Sequence, residues 1–354
     1  MKGEVWKINQ LFLFLGMLSI ILSVLKAASA VVVPMLIAIA IAILLSPLFE
    51  IFEKYGVPRI AALIMTVVLS LTALFVLGAF LTREVDGFLG DSGNLASRIH
   101  DISISLSQKA ISVGIPLKNG DLLSFLNPEN ALSFFQNMLK QFGNQLSNIF
   151  TIIFIAAFIV MDSAYYPAKL GKVFGKDSDT LREFNSLTHR IISYFQIKAK
   201  VSLLTAIWAM GVLWYLDIEY IVLWGFLVFF LNFIPVIGSI LASIPPIVTA
   251  MGTEDGSTAI WVAVWYLIIN ITVGNIIEPR IMGRGLGLSS TTIFISMIFW
   301  GWMFGPAGMI LSVPLTMAFQ SLLMRYEETR WAGFLMSDYK GEEEAVPTSP
   351  PDGK

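Results

Sequence analysis

The sequence predicts an all-α polytopic membrane protein with about six to eight transmembrane helices, including two broken or re-entrant hairpins, plus a small extracytoplasmic helical segment. Of the 354 residues, 56% are hydrophobic and 14% are charged, and the mean hydropathy is +0.76. Soluble domains carry about 25% charged residues. Apolar runs longer than about 18 residues recur along the chain. Two such runs, 221–250 and 289–324, are interrupted by glycine and proline.

Residues 1–82 form an N-terminal block of three predicted membrane helices, whose apolar stretches are 11–25, 30–49 and 60–81. Lys2 and Lys7 before the first stretch, and the small residues 27–30 after it, resemble a secretory signal peptide. The apolar run is long for a signal peptide, however, and Lys26 directly precedes the small residues. We therefore interpret the first stretch as an uncleaved membrane helix.

Residues 83–148 are more polar and predict an extracytoplasmic helical segment. Seam positions recur at alternating steps of three and four over 95–113, where all are apolar except Lys109, and again over 132–149, where all are apolar. This spacing predicts helices that pack along a seam. The partner is either the other seam of the same segment or a second copy of the chain, in which case these seams hold a homo-oligomer together. The second seam continues into the apolar helix 149–160, which predicts one long helix projecting from the membrane.

Residues 149–168 predict a fourth membrane helix, and the polar segment 169–200 follows it. That segment contains seven Lys or Arg against three acidic residues, so the positive-inside rule places it in the cytoplasm. Its apolar residues recur at helical spacing, which predicts an amphipathic helix along the inner membrane surface or against neighbouring helices. A fifth membrane helix is expected at about 201–216.

The membrane core, 201–325, contains the two interrupted runs. The turn at 252–258 has two acids and no base, whereas the turn at 278–287 has two arginines. Placing the acidic turn outside and the arginines inside requires 221–250 to enter and leave on one side, as a hairpin. The alternative, in which 221–250 and 289–324 each cross once, stays open.

Both termini are predicted to be cytoplasmic. With 169–200 inside, the fourth helix runs inward and the third runs outward, so the N-terminus lies inside. Either path through the core leaves the C-terminus inside as well. The acidic, proline-rich tail, 326–354, is predicted to be disordered from about residue 338.

The run 221–250 contains Asn232, Pro235, Gly238, Ser239 and Pro245. Proline removes a backbone donor, and glycine costs about 1 kcal/mol relative to alanine inside a helix. Non-helical backbone at membrane depth persists only where it is buried in protein or lines a wet cavity. We therefore predict a broken helix that lines a translocation site. Kinks satisfied by neighbouring helices are the simpler interpretation.

The run 289–324 is interrupted in a similar way by Gly301, Gly305 and Pro314. Paired, interrupted hydrophobic segments are the best sequence indication of a transporter's binding site, because they free backbone carbonyls and amides. Gly301 and Gly305 also form a small-xxx-small pattern, for which close helix packing is the plainer explanation than ligand contact.

Four further residues are candidates for the site. Glu278 and Arg280 flank Pro279 at the end of a predicted helix, where they are either functional ionisable groups or an ordinary juxtamembrane salt bridge. Asn270 lies inside the same helix and is a polar group at membrane depth.

Several classes of function find no support in the sequence. The chain contains no cysteine, no zinc-type cluster and no glycine-rich phosphate motif, and its net charge is −2 with no basic cluster interleaved with aromatic residues. We therefore expect no cofactor, no metal, no nucleic acid and no enzymatic activity. The expected partners are the lipid bilayer, a small polar metabolite or cation, and further copies of the chain.

Three motifs resemble the signature of the autoinducer-2 exporter (AI-2E) family in order and spacing: NFIPVIG at 232–238, EPRIMGRGLGLS at 278–289 and FWGWMFGPAGMILSVPL at 299–315. The resemblance covers about residues 8–330. It implies an oligomeric transporter of the bacterial inner membrane. Some members of the family export the quorum-sensing molecule autoinducer-2, and others exchange sodium for protons.

The leading hypothesis is a gradient-driven secondary transporter that works by alternating access, with its site between 232–246, the Glu278–Arg280 turn and 299–314. A cation/proton antiporter is the alternative within transport, although the membrane helices lack a central pair of aspartates. An oligomeric scaffold or passive pore is the alternative from another class.

Overall fold

Long helices joined by short turns make up the part of the chain that the structure describes. A computed structural model describes residues 16–17, 19–112, 149–163, 165–175, 178–252, 257–282 and 287–338. No strand occurs among these residues. The acidic tail from 339 onward and the seam at 132–148 lie outside them.

The first three helices form one packed unit. They are α1 (Ser29–Lys54), α2 (Arg59–Ser112) and α3 (Ile149–Ser163), and residues 19–27 are helical before α1. Buried alanines let the three backbones approach closely; they include Ala38, Ala42, Ala62 and Ala156. Arg59 closes one end of the unit, where its Nη2 donates to the Met161 carbonyl at 3.3 Å.

Helix α2 continues well past residue 82, where the sequence predicted the end of a membrane helix. It contains 54 residues and is therefore about 81 Å long. No proline, the strongest helix breaker, lies between 59 and 112. The portion Arg59–Asp91 is apolar enough to cross a membrane. The backbone of the seam at 95–112 belongs to the second half of α2.

The amphipathic segment and the fifth helix are one continuous helix. After the short α4 (Tyr166–Phe174), helix α5 runs over Asp179–Tyr215, and the Ser178 hydroxyl caps it by accepting from the Leu181 amide at 3.3 Å. Of the two placements predicted for the amphipathic segment 169–200, along the inner membrane surface or against neighbouring helices, the structure has the second, and the segment is not a separate helix. The segment has no proline after 179, and its buried Tyr194 and Phe195 pack into the bundle.

A first hairpin follows, built from α6 (Ile221–Leu231) and α7 (Gly238–Met251). It leads to α8 (Ser257–Thr272), a π-helix (Val273–Ile277) and α9 (Glu278–Met282). Helices α5 and α8 are antiparallel, because Lys198 contacts Glu278 while Thr205 lies at the level of Asn270. Tyr215 and Ser257 therefore lie at the same end of the bundle. Since α6 begins just after Tyr215 and α7 ends just before Ser257, the first hairpin enters and leaves at this Tyr215 end.

A second hairpin is formed by α10 (Ser290–Arg325), which is broken at Gly305 with φ 65° and ψ −149°. The Trp300 indole donates to the Thr316 hydroxyl at 3.0 Å, whereas 16 residues of straight helix would separate them by about 24 Å. The two arms therefore fold back on each other. Arg325 donates to Thr180 at the start of α5, so this hairpin opens at the opposite, Thr180 end.

The C-terminal helix α11 (Glu327–Leu335) fastens the base of the second hairpin. The buried Gln320 side-chain amide donates to the carbonyls of Gly287 and Gly333, at 3.1 Å in both cases. The Ser289 amide donates to the Met336 carbonyl at 2.9 Å.

The architecture confirms the predicted all-α polytopic membrane fold. Within the described residues, five helices are long and apolar enough to cross a membrane, or six if α3 and α4, bent by 65°, count as one span. One of the five, Ser290–Arg325, is the second hairpin. Because its arms fold back on each other, it is not a single crossing.

Candidate functional site

A small group of polar side chains meets where the first hairpin breaks. We call this group the central pocket; its lining residues come from α5, both arms of the first hairpin, and α8. They are Thr205, Ala209, Val228, Asn232, Ser239, Ala242, Tyr266, Ile269 and Asn270. The space between them has no room for a water molecule in the conformation described. The pocket is therefore closed.

The break between α6 and α7 is fixed by backbone geometry. Val236 has φ +63°, which a β-branched residue rarely adopts. A Cβ at Gly238 would lie 1.8 Å from the Leu231 carbonyl oxygen, so only glycine fits there. Pro235 lies in the loop and Pro245 in the second arm, and neither has a backbone N–H to donate. These residues turn the chain so that Asn232 and Ser239 reach the pocket.

Asn232 ties the break to α5. Its Nδ2 donates to the Ser202 hydroxyl at 3.0 Å, and the residue is 8% exposed. This contact leaves the carbonyl oxygen of the Asn232 amide as an acceptor for the pocket.

Tyr266 contributes a buried hydroxyl without a hydrogen-bond partner among the described residues. The residue is 3% exposed and lines the pocket. A buried polar group without a partner costs about 1–3 kcal/mol, and in native proteins it usually has a ligand, a water or a functional role. Tyr266 is therefore a candidate for a functional role in the pocket.

An ion pair lies between the pocket and the Thr180 end. Lys198 Nζ is 2.5 Å from Glu278 Oε1, and the side chains are 8% and 20% exposed. Lys198 precedes Thr205 by seven residues on α5, or about 10 Å along the axis. Glu278 directly follows the π-helix, a local irregularity that is frequent at functional sites.

The structure brings together only part of the predicted site. Asn232, Ser239 and Asn270 line the central pocket. Glu278 joins Lys198 instead, while Pro279 and Arg280 are exposed.

The other predicted residues belong to the second hairpin, which contributes no lining residue to the central pocket. A Cβ at Gly301 would lie 2.8 Å from Met309 Cγ, so this glycine lets the two arms pack closely. Gly305 supplies the positive φ of the break, and Pro314 is buried in the second arm. The plainer interpretation of Gly301 and Gly305, close packing, describes their geometry.

Four important residues escaped the sequence analysis: Lys198, Ser202, Thr205 and Tyr266. The first three share one face of α5 at steps of four and three, a pattern visible in the sequence. The charge pattern hides it, because Lys198 lies within the basic segment 169–200. Tyr266 carries no distinguishing pattern.

Among the described residues, no group of three His, Cys, Asp or Glu side chains is placed to hold a metal ion.

Two hairpins that enter a helical bundle from opposite ends, with a polar pocket at one break, are typical of a membrane transporter. Comparison with known proteins agrees with that class. The family model for AI-2E family transporters matches residues 12–328. The chain therefore belongs to the AI-2E family.

Three relatives are similar to the chain over 80% or more of their own length. The AI-2 transport protein TqsA of Escherichia coli K12 is 33% identical over 333 residues, covering 94% of this chain and 97% of the relative. A putative transport protein of Haemophilus influenzae is 33% identical over 327 residues, covering 90% and 93%. The putative transport protein YueF of Bacillus subtilis is 24% identical over 300 residues, covering 80% of each chain.

Proposed function

We propose that the protein is a secondary transporter of the bacterial inner membrane that exports a small polar metabolite, such as autoinducer-2, by alternating access around its broken helices. The central pocket carries this proposal. It lies at the break of the first hairpin, is closed to water, and contains a buried Tyr266 hydroxyl that lacks a partner among the described residues.

The lining chemistry favours a neutral solute with several hydroxyl or carbonyl groups. The polar groups of the pocket are the hydroxyls of Thr205, Ser239 and Tyr266 and the amides of Asn232 and Asn270, and no lining residue is charged. Such groups donate to and accept from hydroxyls without needing a counter-charge. The Escherichia coli relative, named for AI-2 transport, supports a solute of this kind.

We propose that the closed pocket is an intermediate of alternating access. Opening it toward the Tyr215 end requires the first hairpin to move away from α5 and α8, since the hairpin contributes four of the nine lining residues. Opening toward the Thr180 end requires α5 and α8 to separate near Lys198 and Glu278. A gradient supplies the energy, because the sequence has no nucleotide-binding motif.

The basic residues set the proposed orientation. Arg182, Arg190, Lys198 and Lys200 lie in the first part of α5, so the Thr180 end is cytoplasmic under the positive-inside rule. The first hairpin then enters from outside and the second from the cytoplasm, and both termini are cytoplasmic. We further propose a homo-oligomer through the seams at 95–113 and 132–149.

The Tyr266→Phe variant tests the role of the pocket. In proteoliposomes loaded with autoinducer-2, we expect its export rate to fall about tenfold, the effect of losing one hydrogen bond worth about 1.4 kcal/mol. We also expect its unfolding free energy in detergent to rise by about 1 kcal/mol, because the partnerless buried hydroxyl is gone. Ser243→Ala, on the same hairpin but outside the pocket, is the matched control.

If the wild type exports autoinducer-2 and Tyr266→Phe exports it at the same rate, the pocket does not lie on the transport path. Conductance that needs no gradient and is insensitive to Tyr266→Phe would support the passive pore instead.

Cation/proton antiport is the second candidate, and the buried Lys198–Glu278 pair favours it. Sodium-driven proton movement in liposomes that contain no metabolite would support this candidate. We expect Glu278→Gln to abolish that movement. Wild-type antiport in Glu278→Gln would exclude a role of the Lys198–Glu278 pair, and a wild-type protein without sodium-driven proton movement would exclude this candidate.

A further inference from the structure

We propose that Tyr220 and Asp91 form a latch that keeps the central pocket closed toward the Tyr215 end. The Tyr220 hydroxyl donates to Oδ2 of Asp91, and this hydrogen bond breaks when the first hairpin opens at that end. The inference rests on the proposed transport function, because it names the contact that releases a solute from the pocket at this end.

The latch joins the first hairpin to a helix outside the pocket. Helix α6 begins directly after Tyr220, and its Val228 lines the central pocket. Asp91 belongs to α2, which packs with α1 and α3, whereas the lining residues of the pocket come from α5, the first hairpin and α8. Asp91 is also the last residue of the portion of α2 that is apolar enough to cross a membrane. The latch therefore ties a hairpin that has to move to a helix that can stay in place.

Aromatic packing seats the Tyr220 ring on α2. The Phe88 ring centroid lies 5.7 Å from that of Tyr220 and 5.1 Å from that of Trp224, edge-on in both cases. Phe88 and Trp224 are 2% and 0% exposed. A Cβ at Gly87 would lie 3.0 Å from Tyr220 Cε1, so the ring fits closely because this position has no side chain. Edge-to-face pairs have a preferred geometry, which holds the hydroxyl in line with Asp91.

The latch is connected to the pocket through one side of α6. Tyr220, Trp224, Val228 and Asn232 follow each other at steps of four, and residues at this spacing are neighbours on a helix. Val228, about 12 Å along the axis from Tyr220, lines the pocket, and so does Asn232. A displacement of Tyr220 away from α2 therefore moves the lining of the pocket through one rigid helix.

Carboxylates around the latch oppose it. Glu84 lies on α2 with Asp91, and Glu219 lies next to Tyr220 on the side of the hairpin. Burial comes first among the causes that raise the pKa of the Tyr220 hydroxyl, but the charges of Asp91, Glu219 and Glu84 also contribute, so all three are close to it. Like charges on α2 and on the hairpin repel each other and favour separation. The Tyr220 hydrogen bond, which weakens steeply once its geometry is lost, opposes that separation.

The absence of cysteine from the sequence allows a direct test. Thr205 is 3% exposed and lines the pocket, so Thr205→Cys places a single thiol there. A membrane-impermeant maleimide, added to one side of proteoliposomes at a time, reports how often the pocket opens to that side. A separate single-thiol variant at the exposed Glu219, Glu219→Cys, identifies the side on which the Tyr215 end lies.

The main variant removes only the hydroxyl of the latch. In the Thr205→Cys background, Tyr220→Phe should speed labelling from the Tyr215 side about tenfold, the effect of losing one hydrogen bond. Labelling from the other side should stay within about twofold of the reporter alone, because the contacts at the Thr180 end are unchanged. Size-exclusion profiles verify that each variant is folded, and labelling in denaturant verifies that the thiol is reactive.

Variants of Asp91 separate the latch from general loosening. Asp91→Ala should speed labelling by less, about threefold, because it removes one repelling charge together with the acceptor. In that background Tyr220→Phe should have no further effect, since the bond is already lost. Asp91→Asn keeps an acceptor oxygen and should stay within about threefold of the reporter alone.

The seat of the ring has a matched pair of variants on the same helix. Gly87→Ala pushes against the Tyr220 ring and should speed labelling from the Tyr215 side about threefold. Gly90→Ala adds a Cβ with nothing within 4 Å and should label like the reporter alone. A thiol at Ser312→Cys, which is 0% exposed in the second hairpin, should not respond to Tyr220→Phe.

Unchanged labelling of Tyr220→Phe would overturn the inference, and so would an effect of Tyr220→Phe that persists in Asp91→Ala. Equal acceleration from both sides, or at Ser312→Cys, would also overturn it, because the protein would then be loosened throughout. Because labelling needs no solute, its outcome is separate from the export assay. A working latch without export would contradict the proposed function alone, and export with labelling that ignores the latch would contradict this inference alone.

Discussion

The two hairpins are built by similar interruptions and differ in what the interruption exposes. The first breaks next to Asn232, whose amide binds Ser202 and faces a polar pocket with no room for water. The second breaks at Gly305, where glycines let Met309 and Trp300 of opposing arms pack tightly. The density of glycine and proline therefore indicates a hairpin. The polar side chains beside the break distinguish the first hairpin, at which we propose that solute binds, from the second.

The largest expected effects come from the glycines on which both hairpins depend. A Cβ would lie 1.8 Å from the Leu231 carbonyl oxygen at Gly238 and 1.9 Å from the Trp300 carbonyl oxygen at Gly308. We expect Gly238→Ala and Gly308→Ala each to lower the unfolding free energy by about 3 kcal/mol, as seen for severe overpacking. Denaturation in detergent measures this.

Gly78→Ala is the control for those two substitutions, because nothing lies within 4 Å of its added Cβ. It should leave stability unchanged or raise it by up to about 1 kcal/mol, through helix propensity. A Gly238→Ala variant as stable as Gly78→Ala would contradict the close approach of Gly238 to Leu231 in the first hairpin.

A smaller effect is expected at the base of the second hairpin. Gln320 is 5% exposed and donates to two backbone carbonyls, so Gln320→Met should destabilise the protein by about 2 kcal/mol. Export per folded molecule should stay within about twofold of the wild type, since the change lies outside the pocket. A larger loss of export would show that the second hairpin takes part in solute binding.

The smallest effect is expected at the mouth of the first hairpin. Burial and, second, the hydrogen bond to Asp91 raise the pKa of Tyr220, which lies just before α6 and outside the predicted spans. Because the pKa of Tyr220 is raised in the folded state, the stability that this side chain contributes is complete below about pH 10, the ordinary tyrosine pKa. That stability is lost as the pH rises through the folded-state pKa. Tyr220→Phe should therefore lower stability by about 1 kcal/mol at neutral pH, with the difference shrinking at strongly alkaline pH.

The fold class and the two hairpins could be predicted from the sequence, because hydropathy and backbone breakers are local signals. The continuity of α5 could not, since its basic first half resembles a loop by charge count. Lys198 is buried because Glu278, 80 residues later, folds against it. Such pairing between distant positions is invisible in one sequence.

The candidate site was predictable to a similar degree. Asn232, Ser239 and Asn270 stood out because polar side chains are rare in apolar runs, and they do meet. Tyr266 did not stand out, because tyrosine is ordinary in a membrane helix. Only its burial and its hydroxyl without a described partner make it conspicuous.

The most direct test of the difference between the hairpins is export of autoinducer-2 from proteoliposomes by Asn232→Leu and Trp300→Phe, measured side by side and normalised to folded protein. Each substitution removes one hydrogen bond near a break, to Ser202 and to Thr316 respectively. We expect Asn232→Leu to lose export by at least about tenfold, and Trp300→Phe to remain within about twofold of the wild type. Equal losses in the two variants, or a larger loss in Trp300→Phe, would contradict the assignment of the solute site to the first hairpin.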